Sequence, residues 1–149
     1  FYDRCTGCQL CVSNCPNGVL RPSTDLEHFL QPMMGYENGF CRPECTVCSS
    51  ICPAGAILPV KKEEKLLVKI GTARVNLDLC LAHKGEAGCG NCARHCPSGA
   101  IRMVRGEDGK RMPVVNEEQC IGCGACEYLC PARPISAITV DGISTHIVK

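Results

Sequence analysis

The sequence predicts an α+β fold of two small modules built from short strands and short helices. Three observations carry that prediction. Cysteine supplies 16 of the 149 residues, against three Phe, three Tyr and no Trp. The cysteines fall into four sets of four, and a short apolar segment follows each set. With 45% apolar residues, a figure raised by cysteine itself, the chain has too few large side chains for one substantial core. Covalent or metal cross-links must hold such a fold together.

The first set is Cys5, Cys8, Cys11 and Cys15, spaced C-x2-C-x2-C-x3-C, and the fourth, Cys120, Cys123, Cys126 and Cys130, repeats it unchanged. The middle sets deviate in their first gap. Cys41, Cys45, Cys48 and Cys52 open with three intervening residues, and Cys80, Cys89, Cys92 and Cys96 with eight. Pro16, Pro53, Pro97 and Pro131 follow the last cysteine of every set. This is the ligand run of [4Fe-4S] clusters: three close thiolates hold three irons of a cubane, and the fourth cysteine reaches the other cluster of a pair. Four such runs imply four [4Fe-4S] clusters with all sixteen cysteines as ligands.

Other uses of the cysteines fit less well. Disulfides would leave the recurring register without a reason, because neighbours within a C-x2-C-x2-C triplet are awkward to bridge. Structural zinc uses paired knuckles, whereas these cysteines come in threes plus one. His28, His83, His95 and His146 share no spacing with them and are expected at the surface or on helices. Cys41, Cys45 and Cys48 alone would match the triplet of radical enzymes that bind S-adenosylmethionine, but Cys52 and Pro53 follow in register and the chain is too short for the barrel such enzymes need.

The elements follow in order. Each set should form a loop around a cluster, with Gly7, Gly90, Gly122 and Gly124 giving room for a close wrap. A short helical turn then carries the fourth cysteine away, and the proline behind it stops the helix. Expected strands are Gly18 to Leu20, Ala56 to Leu58, Ala73 to Leu77, Ala100 to Val104, Pro113 to Asn116, and Ile135 to Val140. The order CP-x-G-x-(I/L) recurs after three sets at a spacing of about 40 residues, an internal repeat. Between sets, a helix is expected near Asp25 to Leu30, capped by Ser23 or Thr24. Residues 59–70 read as a solvated charged loop entering a strand, with Gly106 to Gly109 and Asp141-Gly142 as turns.

Two pairings satisfy every ligand. A sequential one joins the first set with the second and the third with the fourth, dividing the chain at 1–60 and 72–149. A nested one makes one module of 1–20 with 113–149 and another of 39–104, with 21–38 as a connector. Because the two regular sets lie at the chain's ends, nesting is preferred. The ligand sets are then Cys5, Cys8, Cys11 with Cys130; Cys120, Cys123, Cys126 with Cys15; Cys41, Cys45, Cys48 with Cys96; and Cys80, Cys89, Cys92 with Cys52.

The formal charge is +1, from 16 basic and 15 acidic side chains, without a basic stripe, so nucleic acid is not an expected partner. Each oxidised cubane with its four thiolates carries 2−, so four clusters lower that +1 by eight, leaving about 7−. A redox partner with a basic docking area is expected. No apolar run is long enough to span a bilayer. The chain starts at Phe1 without a leader pattern, and with Cys5 already a ligand, residues upstream of Phe1 are expected in the native protein.

CTGCQLCVSNCPNGVL at 5–20, CRPECTVCSSICPAGAI at 41–57, the long-gapped CLAHKGEAGCGNCARHCPSGAI at 80–101 and CIGCGACEYLCP at 120–131 together resemble the four-cluster ferredoxin-type proteins of the MauM/NapG family. The irregular middle sets carry the specific part of that resemblance, which spans nearly the whole chain. It implies two bacterial-ferredoxin-like two-cluster modules and a polyferredoxin that relays single electrons. It further implies export or association with a membrane, and redox partners such as a membrane-bound quinol-side donor or a terminal reductase. The more remote electron-transfer subunits of formate dehydrogenase imply nested pairing. No catalytic residue is expected. The alternative role is a structural or maturation module in which the clusters do not relay electrons.

Overall fold

The computed structural model describes all residues from Phe1 to Lys149. Five short helices, α1 (Leu10–Ser13), α2 (Val47–Ile51), α3 (Leu81–Lys84), α4 (Asn91–Arg94) and α5 (Ala125–Tyr128), alternate with six strands. The strands are β1 (Leu20–Pro22), β2 (Pro32–Met34), β3 (Val68–Val75), β4 (Ile101–Arg105), β5 (Arg111–Val115) and β6 (Ile138–Val148). They pair antiparallel as three two-stranded ribbons, β1 with β2, β3 with β6 and β4 with β5. No helix is long and apolar enough to cross a membrane.

Helices α1, α2, α4 and α5 lie within the cysteine sets, and each ends at or just before the set's last cysteine, where the Cys-Pro step denies the next turn its N–H. The β4–β5 hairpin is closed by the expected turn: Gly109, with φ +76°, donates to the Gly106 carbonyl at 3.0 Å. Asp141-Gly142 does not turn the chain. It lies inside β6, opposite Thr72 and Gly71, where the long ribbon changes register.

Two other expected elements are missing for local reasons. Residues 25–30 form turns and not a helix. The Ser23 hydroxyl accepts from the Asp25 N–H and the Asp25 carboxylate from the Glu27 N–H, contacts that compete with helical hydrogen bonds. Leu26 and Phe29 are 93% and 61% exposed, so no packing face rescues a helix this short. Ala56 to Leu58 is not a strand either. The backbone turns there instead, with the Gly55 N–H donating to the Cys52 carbonyl at 3.3 Å.

The two halves differ in completeness. From Val68 onward, β3, the third set, β4, β5, the fourth set and β6 follow in order, and the buried cluster of Ala73, Ala82, Ala100, Ile101, Ala132, Ala137 and Ile138 interleaves with cysteine side chains. The first half has only the three-residue ribbon β1–β2. Part of its cover comes from the other half. Between Lys69 (opposite Ile147) and Gly71 (opposite Gly142), β6 bulges out with residues 143–146, of which Ile143, Ser144 and His146 line a surface cleft with Phe1, Leu20, Met33 and Ile57.

Candidate metal centres

The sixteen thiols, none in a disulfide, gather in four sets of four. Cys5, Cys8, Cys11 and Cys52 line the first space, with Leu10, Pro32, Pro53 and Ile57. Cys15, Cys41, Cys45 and Cys48 line the second, with Val19, Leu20, Met34 and Ile70. At the third, Cys96 and Cys120 are the thiols closest in influence to Cys123, and Cys120, Cys123 and Cys96 to Cys126. Cys80, Cys89, Cys92 and Cys130 line the fourth, with Val75, Leu81, Ala137 and Ile138.

This grouping departs from the nested expectation. Cys130 stands with Cys80, Cys89 and Cys92 and not with Cys5, Cys8 and Cys11, while Cys15 stands with Cys41, Cys45 and Cys48 and not with Cys120, Cys123 and Cys126. Cys52 joins the first set and Cys96 the fourth set's triplet. The physical reason lies in the helices. Helix α1, which holds Cys11 and leads to Cys15, packs on α2, which holds Cys48 and leads to Cys52; α4 packs on α5 in the same way. Each packed pair crosses its fourth cysteines into the neighbouring space, and the pairs are made within each half.

Neighbouring thiol sets share cysteine-bearing helices. Cys11 and Cys15, and Cys48 and Cys52, link the first to the second; Cys92 and Cys96, and Cys126 and Cys130, link the third to the fourth. Between the halves, the Cys41 N–H donates to the Cys123 carbonyl at 2.8 Å, and Phe40 packs beside Ile121 and Ala125. Tyr36 reinforces this seam: its buried hydroxyl donates to the Gly122 carbonyl at 2.7 Å. Glycine at 122 and 124 is therefore required by the protein itself. Both have positive φ, and a Cβ would collide with the Gly71 backbone in one case and the Tyr36 ring in the other.

These donor sets fit iron–sulfur clusters. The thiols stand around spaces bordered mostly by apolar side chains, which suits a body of several atoms held by sulfur. Burial pushes the Cys92 and Cys123 thiols up to about 11, with neighbouring thiolates adding to the effect. Cys11, Cys41, Cys48 and Cys126 shift the same way, again chiefly through burial. Such thiols ionise readily only when a cationic centre arrives, so metal binding is coupled to proton release and to folding. Cys52 behaves oppositely: burial acts upward, but the N–H groups of Ile57, Ala56, Ala54 and Gly55 together hold it below the usual thiol value. At the fourth space the Ala137 N–H donates to the Cys130 sulfur at 3.3 Å.

Two side chains at the second space have no cysteine spacing to reveal them. Lys65 and His146 both line it. His28 stacks on Tyr2, His83 lies in α3, and His95 contacts the Asn91 carbonyl, so these three are uninvolved in the thiol sets.

A family model described as a 4Fe-4S dicluster domain matches residues 87–133, and one described as a 4Fe-4S binding domain matches residues 1–21. With the thiol geometry, they define an iron–sulfur protein of the ferredoxin type. The chain is 30% identical over 147 residues to the ferredoxin-type protein NapF of Escherichia coli K12, covering 98% of this chain and 80% of that one. It is 31% identical over 142 residues to the methylamine utilization ferredoxin-type protein MauM of Methylobacillus flagellatus, covering 87% and 58%. With the ferredoxin-type protein NapG of Escherichia coli K12 it shares 28% over 148 residues, covering 87% and 61%. The chain belongs to the ferredoxin-type protein family that includes NapF, MauM and NapG. Each of these relatives is named a ferredoxin-type protein.

Proposed function

We propose that the chain is a four-cluster electron relay. Each half would hold two [4Fe-4S] clusters, with module boundaries near 1–60 and 72–149 and β3 beginning the second module. The four ligand sets are the four spaces described above, so that Cys52, Cys15, Cys96 and Cys130 are the remote ligands of the first to fourth sites. The carrying observation is that every cysteine falls into one of four sets, with the halves joined by the hydrogen bond between Cys41 and Cys123. The dicluster model, matched across 87–133 as one stretch, supports pairing of the third and fourth sets within that half.

A bound cubane supplies a site that takes up and gives back one electron. The chain's residues do the rest. Apolar side chains such as Val19, Ile57, Ile70 and Ile138 keep water from the thiol sets. The Ala137 N–H donates to the Cys130 sulfur and favours its negative charge. Helices α1, α2, α4 and α5 fix the spacing from one site to the next. Cys8 is exposed whereas Cys120, Cys123, Cys126 and Cys130 are buried, so electrons enter or leave most directly at the first site. The partner is a redox protein with a basic face, since the loaded chain is anionic, and contact of the small transient type suits such exchange.

Redox titration of anaerobically prepared protein, followed by paramagnetic spectroscopy, tests the relay. One-electron reducible clusters with mutual magnetic interaction are expected. Full iron content with no cluster reducible at any accessible potential would show a structural role instead.

A further inference from the structure

The segment that leads into β3 inverts the usual sorting of side chains. Residues Lys62–Leu67 form a 3-10 turn. Lys65 is only 9% exposed, while the adjacent Leu66 and Leu67 are 42% and 48% exposed. Lysine is among the side chains least often buried, and a cation tucked into an apolar surface is favoured where negative charge stands beside it. No carboxylate provides it. The chain's ion pairs are Arg21–Glu37, Arg74–Asp141, Lys84–Glu86 and Lys110–Asp108. What Lys65 does face is the second thiol set, whose space it lines with Cys15, Cys41, Cys45 and Cys48.

From this placement we infer that Lys65 is the fixed counter-charge of the second site, raising the reduction potential there so that an electron rests at that site before crossing to the other half. The inference rests on the cluster assignment proposed above. Reduction adds one electron from an external donor, dithionite in the test below, and takes a cubane with its four thiolates from 2− to 3−. No bond forms or breaks. A cation lining the site favours the more negative state. Neither the first nor the fourth space has a lysine in its lining, and at the third set the nearest is the exposed Lys149, whose ammonium donates to the Cys120 carbonyl at 3.1 Å and is screened by solvent. The second site lies on the inner side of the first half, next to the Cys41–Cys123 contact, so a higher potential there sets the direction of flow between the halves.

Anaerobic potentiometric titration of Lys65→Gln, Lys65→Met and Lys65→Arg tests the inference, with Lys62→Gln, exposed on the same turn, as a control. At unchanged iron content, the Gln and Met variants should move one titration step to lower potential by at least about tenfold in the reduction equilibrium, about 59 mV for a one-electron couple. The step that moves should be the one absent from Cys45→Ala. Lys65→Arg and Lys62→Gln should leave it in place. If Gln and Met lose about four iron while Arg retains them, the counter-charge role is supported; loss in Arg as well makes the role one of packing and overturns it. Full iron with no step moved also overturns it. A Cys45→Ala variant with undiminished iron would instead overturn the assignment of the second site, and the inference with it.

Discussion

The two halves carry the same cysteine repeat in different amounts of protein. In the second, an eight-residue β3 pairs with β6 and a five-residue hairpin covers the other side, leaving Cys80, Cys120, Cys123, Cys126 and Cys130 buried. In the first, a three-residue ribbon and loops surround the thiols, only Cys11 is buried and Cys8 is exposed. The motif therefore specifies ligation, and the strands around it specify shelter. A sheltered half suits retention of its clusters, and an open half suits exchange with a partner.

Cysteine replacements should separate the halves most strongly. Cys126→Ala removes a buried ligand from a packed helix pair and is expected to cost more than one cluster, with loss of the far-ultraviolet signature of the fold. Cys8→Ala should lose only about four iron and leave the other three sites filled. Equal losses in the two variants would erase the proposed contrast. In the unsubstituted protein, an iron chelator added under mild oxidation should empty the first half before the second, followed by iron release and circular dichroism.

Smaller effects probe the seam between the halves. Gly124→Ala and Gly55→Ala both force alanine into positive φ, which costs about 1–2 kcal/mol. Only at 124 does the new methyl also meet the Tyr36 ring, while nothing stands near Gly55. Gly124→Ala is therefore expected to be the more destabilising by about 1–3 kcal/mol in denaturant midpoint. Tyr36→Phe deletes the donor to Gly122 and should cost about 1 kcal/mol. At the exposed Arg74–Asp141 pair, Arg74→Ala should cost less than about 1 kcal/mol.

Much of this difference was invisible in the sequence. The cysteine registers and the proline after each set reveal the four thiol groups and the four helix stops, because both follow from local chain geometry. The pairing of sets does not, since the C-x3-C-P ending is compatible with any partner helix; only the packing of α1 on α2 and of α4 on α5 selects one. Residues 25–30 show helical capping signals, but with Leu26 and Phe29 outside any core the Ser23 and Asp25 side chains favour turns. Lys65 looks like one charge in a solvated run, because its spacing says nothing of the 3-10 turn that points it inward. Gly122 and Gly124 were legible as necessary, though what crowds them is Gly71 and Tyr36 from distant parts of the chain.

The most direct measurement is the amount of iron and acid-labile sulfide per chain in anaerobically purified protein. Four filled sites give about 16 of each, the value the four thiol sets require. A value of about 8 of each in protein with all sixteen thiols intact would contradict the four-cluster relay.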